Sequence, residues 1–329
     1  MKSLIWLFLV LGSIKAFSQE ISADFMGPML PAVTGTVDPA PDPGQSETKI
    51  SNDTSEFKPW NLTEGQRNTF TIASGLAVPT LALLQGVVAW NWGQDGKKFG
   101  FKSEGWFDKS TYSGGADKTG HMFSHYIQKR FYSWLSAKLG HDKPTSQLHG
   151  LLAAGLTGLM IEVGDGFSRY QFCPQDLIAD TLGITLAYFL DEYPKLDELI
   201  GLRWEYWPSQ NWMNKENKNR IDFMSDHSGQ KFYFSVKAKG VPLLADKWYT
   251  KYLTLDVGFY TRGFDTVNAS PSRSQWFSYG AGINLGSLIQ DFGPKNGAGE
   301  FVSGLTKYWI PPGTVYTGDN SISQAPGKF

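Results

Sequence analysis

His121 and His125 stand four residues apart, with Asp117 four residues before them, so on a helix the three side chains would share one stripe and one common partner. The spacing recurs in Asp176 and Asp180, and Glu162 and Asp165 close the apolar stretch between the two sets. Imidazole and carboxylate are ordinary ligands of zinc and other divalent ions. If the stripes face inward, His121, His125, Glu162 and Asp176 are the candidate metal ligands, and activation of a metal-bound water is the chemistry they would support. The same residues also have a structural reading. Asp117 and Asp176 stand where carboxylates favour helix N-termini, Lys118, Arg130 and Arg169 can neutralise neighbouring acids, and buried ion pairs fix the register of apolar helices. His-x-x-x-His lacks the glutamate of a metalloprotease helix, so the structural roles carry the greater weight, and a divalent metal is the one cofactor that enters at all. No phosphate-binding or dinucleotide-binding glycine pattern is present, and no Gly-x-Ser-x-Gly, so Gly114-Gly115 reads as a turn and Ser124 and Ser168 lack the setting of a hydrolase nucleophile.

The elements that must position these groups follow from periodicity. Residues 68–90 carry no charge and read as a helix containing Pro79. The run is long enough to cross a bilayer, but its glycines, threonines and Gln85 favour a central buried helix. Three more helices are expected: 117–139 with Gly140 as its stop, 145–163 opened by a Thr145 or Ser146 cap, and 174–190 with proline in its first turn. Helices this apolar are expected to bury one another. Beyond about Asp222 the period changes to two, over residues 231–237, 252–260 and 275–285. The fold class is therefore α+β: an apolar bundle of about four helices followed by a small antiparallel sheet of three or four strands packed on it. An outer-membrane barrel needs at least eight spanning strands, and residues 321–329 do not alternate. Trp204, Tyr206, Trp207 and Trp212 suit either a membrane-interface belt or the seam between bundle and sheet.

Lys2, the apolar run 4–11 and Ala16-Phe17-Ser18 form a signal peptide over residues 1–18, with cleavage before Gln19. Residues 19–59 read as a flexible segment with a Pro- and Asp-rich linker, 60–205 as the helical domain and 206–329 as the β-rich region. Loss of Lys2 and Lys15 leaves 28 basic against 31 acidic residues, a net charge of −3, which offers no field for nucleic acid. The single thiol, Cys173, excludes an internal disulfide or a redox pair, and no cysteine follows the apolar run to accept a lipid.

Gly115-Ala116-Asp117-Lys118-Thr119-Gly120-His121, followed by Phe172-Cys173-Pro174-Gln175-Asp176-Leu177-Ile178-Ala179-Asp180-Thr181-Leu182-Gly183, resembles the YfiM-like bacterial envelope proteins. A looser similarity extends to VanZ-like membrane proteins, and residues 228–235 look like a strand found in longer YfiM-like members. The resemblance spans roughly residues 60–285 and maps its motif onto Asp117, Lys118, His121, Asp176, Asp180 and Gly183. Position 180 is Asp where Asn is frequent, which adds a buried charge that needs a partner. The resemblance implies a cell-envelope location and no particular activity. The expected protein is exported to the periplasm or the outer membrane, with an envelope protein or a membrane surface as partner and a structural or interaction role. The alternatives are a metal-dependent hydrolase or lipid-modifying enzyme, and an integral membrane protein spanning with the apolar helices.

Overall fold

A computed structural model describes residues 59–94, 96–213, 223–245, 247–264 and 272–326, and the expected signal peptide and nearly all of the 19–59 segment lie outside them. The first helix, α1 (Glu64–Ala89), opens with a reciprocal cap: the Gln66 amide donates to Thr63 Oγ1 at 3.3 Å, and the Thr63 amide donates to Gln66 Oε1 at 2.9 Å. Thr63→Ala removes one arm of this cap. It is expected to cost about 1 kcal/mol and to show as faster hydrogen exchange at the Gln66 amide.

Helix α2 (Ala116–Lys138) is entered through Gly114 and Gly115, both at positive φ. A Cβ on Gly115 would lie 2.7 Å from the Trp106 carbonyl oxygen, so the turn needs glycine twice over. Gly140, at φ +92°, follows the end of α2. Helix α3 (Lys143–Gly166) is capped by Asp142, which accepts from the Thr145 amide at 3.0 Å; the expected Thr145 or Ser146 cap gives way because Pro144 sits in the first turn, two residues after that carboxylate. Helix α4 (Pro174–Glu192) and the short α5 (Pro194–Leu199) each begin on proline.

The expected burial of the apolar helices is reversed. α2, the most charged of the four, packs against α3, α4 and the sheet, whereas α1 buries only Gly86 and exposes Phe70, Ile72, Leu76, Leu83 and Val88 among others. On α3 the exposed residues Leu148, Leu152, Leu156, Leu159 and Val163 fall on one helical stripe, while Gly150, Ala153, Ala154, Thr157 and Gly158 face inward. α4 likewise exposes Ile178, Leu182 and Phe189. The physical reason is charge. Lys129 and Arg130 of α2 meet Asp191 of α4 at 2.8 and 2.9 Å, Arg130 reaches Asp197 of α5 at 2.6 Å, and these pairs need the interior that the large aliphatic side chains would otherwise fill. Small residues on the inward faces let the backbones close around them.

The sheet has six strands in the order β5-β1-β2-β3-β4-β6: β1 (Ile200–Tyr206), β2 (Gln230–Lys237), β3 (Leu253–Arg262), β4 (Ser272–Ile283), β5 (Trp309–Ile310) and β6 (Val315–Pro326). Every neighbouring pair is antiparallel except β1 with β5, so the sheet is mixed and larger than the three or four strands expected. Short helices α6 (Gln210–Met213) and α7 (Pro242–Ala245) lie in the connections, and α8 (Leu285–Phe292) and α9 (Gly297–Tyr308) carry the chain from β4 to β5. One face of the sheet meets the bundle through Phe232 and Trp204, whose rings lie 5.7 and 6.1 Å from that of Phe123 on α2. Trp204 therefore belongs to the seam, whereas Trp207 is exposed. Beyond that contact the same face leaves Phe234, Leu255, Val257, Phe277 and Tyr279 exposed. The opposite face buries Arg203, which donates to Ser235 at 2.7 Å and to Thr254 at 2.8 Å and pairs with Asp256. The architecture is α+β, with the helical part first.

Candidate functional site

The polar stripe of α2 faces α4. His121 Nδ1 lies 2.9 Å from Asp180 Oδ1, and His125 Nδ1 lies 2.6 Å from the same oxygen and 3.1 Å from the His121 carbonyl oxygen. One turn earlier, Lys118 Nζ sits 2.7 Å from Asp176 Oδ1, 3.2 Å from Asp117 Oδ2 and 3.1 Å from Glu104 Oε2. His121 Nε2 and Asp117 Oδ1 are 3.8 Å apart, beyond hydrogen-bond reach. Six of the sequence candidates, Asp117, Lys118, His121, His125, Asp176 and Asp180, are thus in mutual contact.

The two remaining candidates play different parts. Glu162 comes in from α3: its Oε2 accepts from the Cys173 amide at 2.9 Å, while Oε1 is buried with no hydrogen-bond partner among the described residues. Gly183 has no side chain to bring to the centre; a Cβ there would lie 2.0 Å from the Met122 carbonyl oxygen, so it sets how closely α4 approaches α2. Gly158 does the same for the centre itself, because a Cβ would fall 2.5 Å from Asp180 Oδ2 and 3.0 Å from His125 Nε2. Both of those atoms are buried and lack hydrogen-bond partners among the described residues.

Several members were not singled out from the sequence. Glu104 and Tyr112 come from the loop before α2, which has no period to read. Trp92 donates to Asp165 Oδ1 at 2.7 Å, and the rings of Tyr112 and His227 lie 5.5 Å apart, bringing a histidine from the connection before β2 to the rim. Burial, reinforced by Asp117 and Glu104, holds the Tyr112 hydroxyl well above the usual phenol range. Burial also raises the Cys173 thiol, with Asp176 adding to the effect, so this cysteine is not an activated nucleophile.

Three sets of donor atoms each lie within 4.8 Å of one another: His121, His125 and Asp180; Asp117, His121 and Asp176; and Glu104, Cys173 and Asp176. The side chains of Asp117 and His121 keep 13 % and 15 % of their surface exposed, against 7 % or less for Lys118, Glu104, His125, Asp176 and Asp180, so the centre opens on the Asp117 and His121 side. An enclosed acid and imidazole set with one open flank can tie helices together, hold a cation or relay a proton.

Residues 103–192 match a family model, DUF2279, described as predicted periplasmic lipoprotein. The chain is an exported bacterial envelope protein. The matched segment runs from the loop before α2 to the end of α4, and so contains every polar contact of the centre from Glu104 to Asp180, as well as Asp191 of the ion pairs below it. No curated protein and no solved structure matches the chain.

Proposed function

We propose that this envelope protein is seated in a lipid bilayer through α1, α3 and α4, and that the acid and imidazole centre on α2 is the polar interior that holds those helices together. The observation that carries this reading is the inverted partition of side chains: aliphatic stripes on α1, α3 and α4 face outward, while lysine, arginine, histidine and aspartate are buried between the helices. Water would favour the opposite arrangement, because each exposed aliphatic side chain forgoes its transfer energy and each buried charge must be stripped of solvent. Lipid removes the first cost and makes an enclosed polar centre the only tolerable place for charge. α1 is long and apolar enough to cross a membrane; its 26 residues span about 39 Å against a hydrocarbon core of about 30 Å. The uncovered aromatic and aliphatic residues of the sheet, Phe234, Leu255, Val257 and Phe277, extend the apolar surface beyond the bundle. The role this supports is that of an anchored scaffold in the envelope.

Alkaline carbonate washing of membranes from cells expressing the full chain tests the reading: retention in the pellet is expected, and release into the supernatant overturns it. Leu152→Arg with Leu156→Arg sharpens the test. On a water-facing helix these exposed positions would change stability by about 0.5 kcal/mol or less. Facing the bilayer centre, each arginine would cost about 2.5–3.5 kcal/mol, so the double variant is expected to leave the membrane fraction.

A further inference from the structure

We propose that Asp117, His121 and Asp176 bind one zinc-class divalent cation, with Asp180 as the group that orients His121. His125 Nδ1 faces both a carbonyl oxygen and a carboxylate, two acceptors, and therefore carries its proton there; His125 is a hydrogen-bonding residue and not a ligand through that atom. His121 Nδ1 faces a single group, Asp180 Oδ1 at 2.9 Å, and donates to it. With Nδ1 held by Asp180, the nitrogen of His121 left for a ligand is Nε2, which faces Asp117 Oδ1 at 3.8 Å; donor atoms of Asp117, His121 and Asp176 all lie within 4.8 Å of one another. His121 Nε2 and Asp117 Oδ1 face each other at a separation too long for a hydrogen bond, which leaves room for a cation between them.

Lys118 approaches the two carboxylates from the side that, on Asp117, lies away from His121 Nε2. Its ammonium lies against Asp117 Oδ2 and Asp176 Oδ1, so Asp117 turns its other oxygen, Oδ1, toward His121. A carboxylate that holds the far nitrogen of a ligating imidazole is the usual support of a zinc site. One imidazole with two carboxylates suits zinc or manganese better than calcium or magnesium, which prefer all-oxygen shells. A second observation is independent of this geometry: Glu162 Oε1 is buried and unpartnered among the described residues, while its other oxygen accepts from the Cys173 amide three residues before Asp176. The partial exposure of Asp117 and His121 gives the ion an entry path and an open coordination position for water. The inference does not depend on where the helices sit relative to lipid.

The test uses the full chain purified in detergent, stripped with chelator and titrated with Zn²⁺, with bound metal counted by mass spectrometry and Co²⁺ absorption as a second readout. One tight equivalent per chain is expected in the wild type. His121→Ala and Asp176→Asn should lose it, Asp180→Asn should weaken it about 10- to 100-fold, and His125→Ala should retain it. Absence of a tight equivalent in the wild type overturns the proposal, as does unchanged binding in H121A. If H121A or D176N fails to fold, the cobalt spectrum of the wild type decides: ligand-field bands with a nitrogen donor support the site, and the spectrum of hexaaqua cobalt removes it. Carbonate extraction is read separately, so failure here leaves the lipid placement standing.

Discussion

Gly183→Ala is expected to destabilise the protein by about 3 kcal/mol or more, because the new methyl carbon would lie 2.0 Å from the Met122 carbonyl oxygen and 3.1 Å from the Tyr126 amide nitrogen. Both neighbours are helix backbone, which cannot rotate away as a side chain would. The strain must be relieved by moving α4 off α2, and that movement also lengthens the bonds from His121 and His125 to Asp180, three residues earlier on the same helix. Thermal unfolding followed by near-ultraviolet circular dichroism in detergent should show a fall of several degrees. Gly155→Ala is the matched control. A Cβ at 155 meets nothing within 4 Å, so alanine there should be neutral or add up to about 1 kcal/mol through its helix propensity. Equal effects at 155 and 183 would sink the close-packing account.

Asp191→Ala should be at least as damaging. Lys129 and Asp191 are completely buried and Arg130 nearly so; removal of the carboxylate leaves the Lys129 ammonium with Gln147 as its remaining hydrogen-bond acceptor and Arg130 with Asp197 and the Tyr126 hydroxyl. Breaking a buried pair from one side costs about 3–5 kcal/mol, and most of that cost is the stranded charge. Lys129→Met combined with Asp191→Leu should therefore recover much of the loss, which separates charge compensation from simple packing in one double-mutant cycle. Arg130 still has Asp197 in that variant. Burial alone would raise the Asp197 carboxyl, but Arg130, followed by Lys307, holds it well below the ordinary carboxylate range. A carboxyl depressed in the fold contributes stability that is complete above its unfolded value of about 4 and is lost as pH falls through the folded value. Unfolding of the double variant by acid should thus begin well below pH 4.

How much of this was legible in the sequence varies element by element. The contact of His121 and His125 with Asp180 was readable because two stripes of period four on two helices can satisfy their charges only by facing each other, and the glycine pair at 114–115 announced the turn that starts α2. Hydropathy alone makes α1 a central helix, yet the structure leaves it exposed, because hydropathy measures the preference for leaving water and not which surface receives the helix. The deciding signal lay elsewhere, in the charged residues of α2, which find carboxylate partners at Asp180, Asp191 and Asp197. α3 held a second clue in its alternation of small and large residues, Gly150, Ala154 and Gly158 on one face and Leu148, Leu152 and Leu156 on the other. Strand β1 was hidden because Arg203 and Glu205 interrupt an apolar run, and they are buried by partners on other strands that local sequence cannot see. β5 has two residues, too few to show any period, and β6 is polar and rich in turn formers. Glu104 and Tyr112 reach the centre from an irregular loop, where only the folded chain reveals proximity.

Asp197 accepts Arg130 from α2 and Lys307 from α9, the latter at 2.7 Å, across 110 residues of sequence. The helices emerge from the export channel long before α9 does, so for that interval Asp197 has only part of its eventual company and the β1 edge has no β5 beside it. Completion of the early half waits on the late half. A chain interrupted between β4 and α9 should accordingly look less like a smaller protein than like an unfinished one, prone to capture by periplasmic chaperones and to degradation.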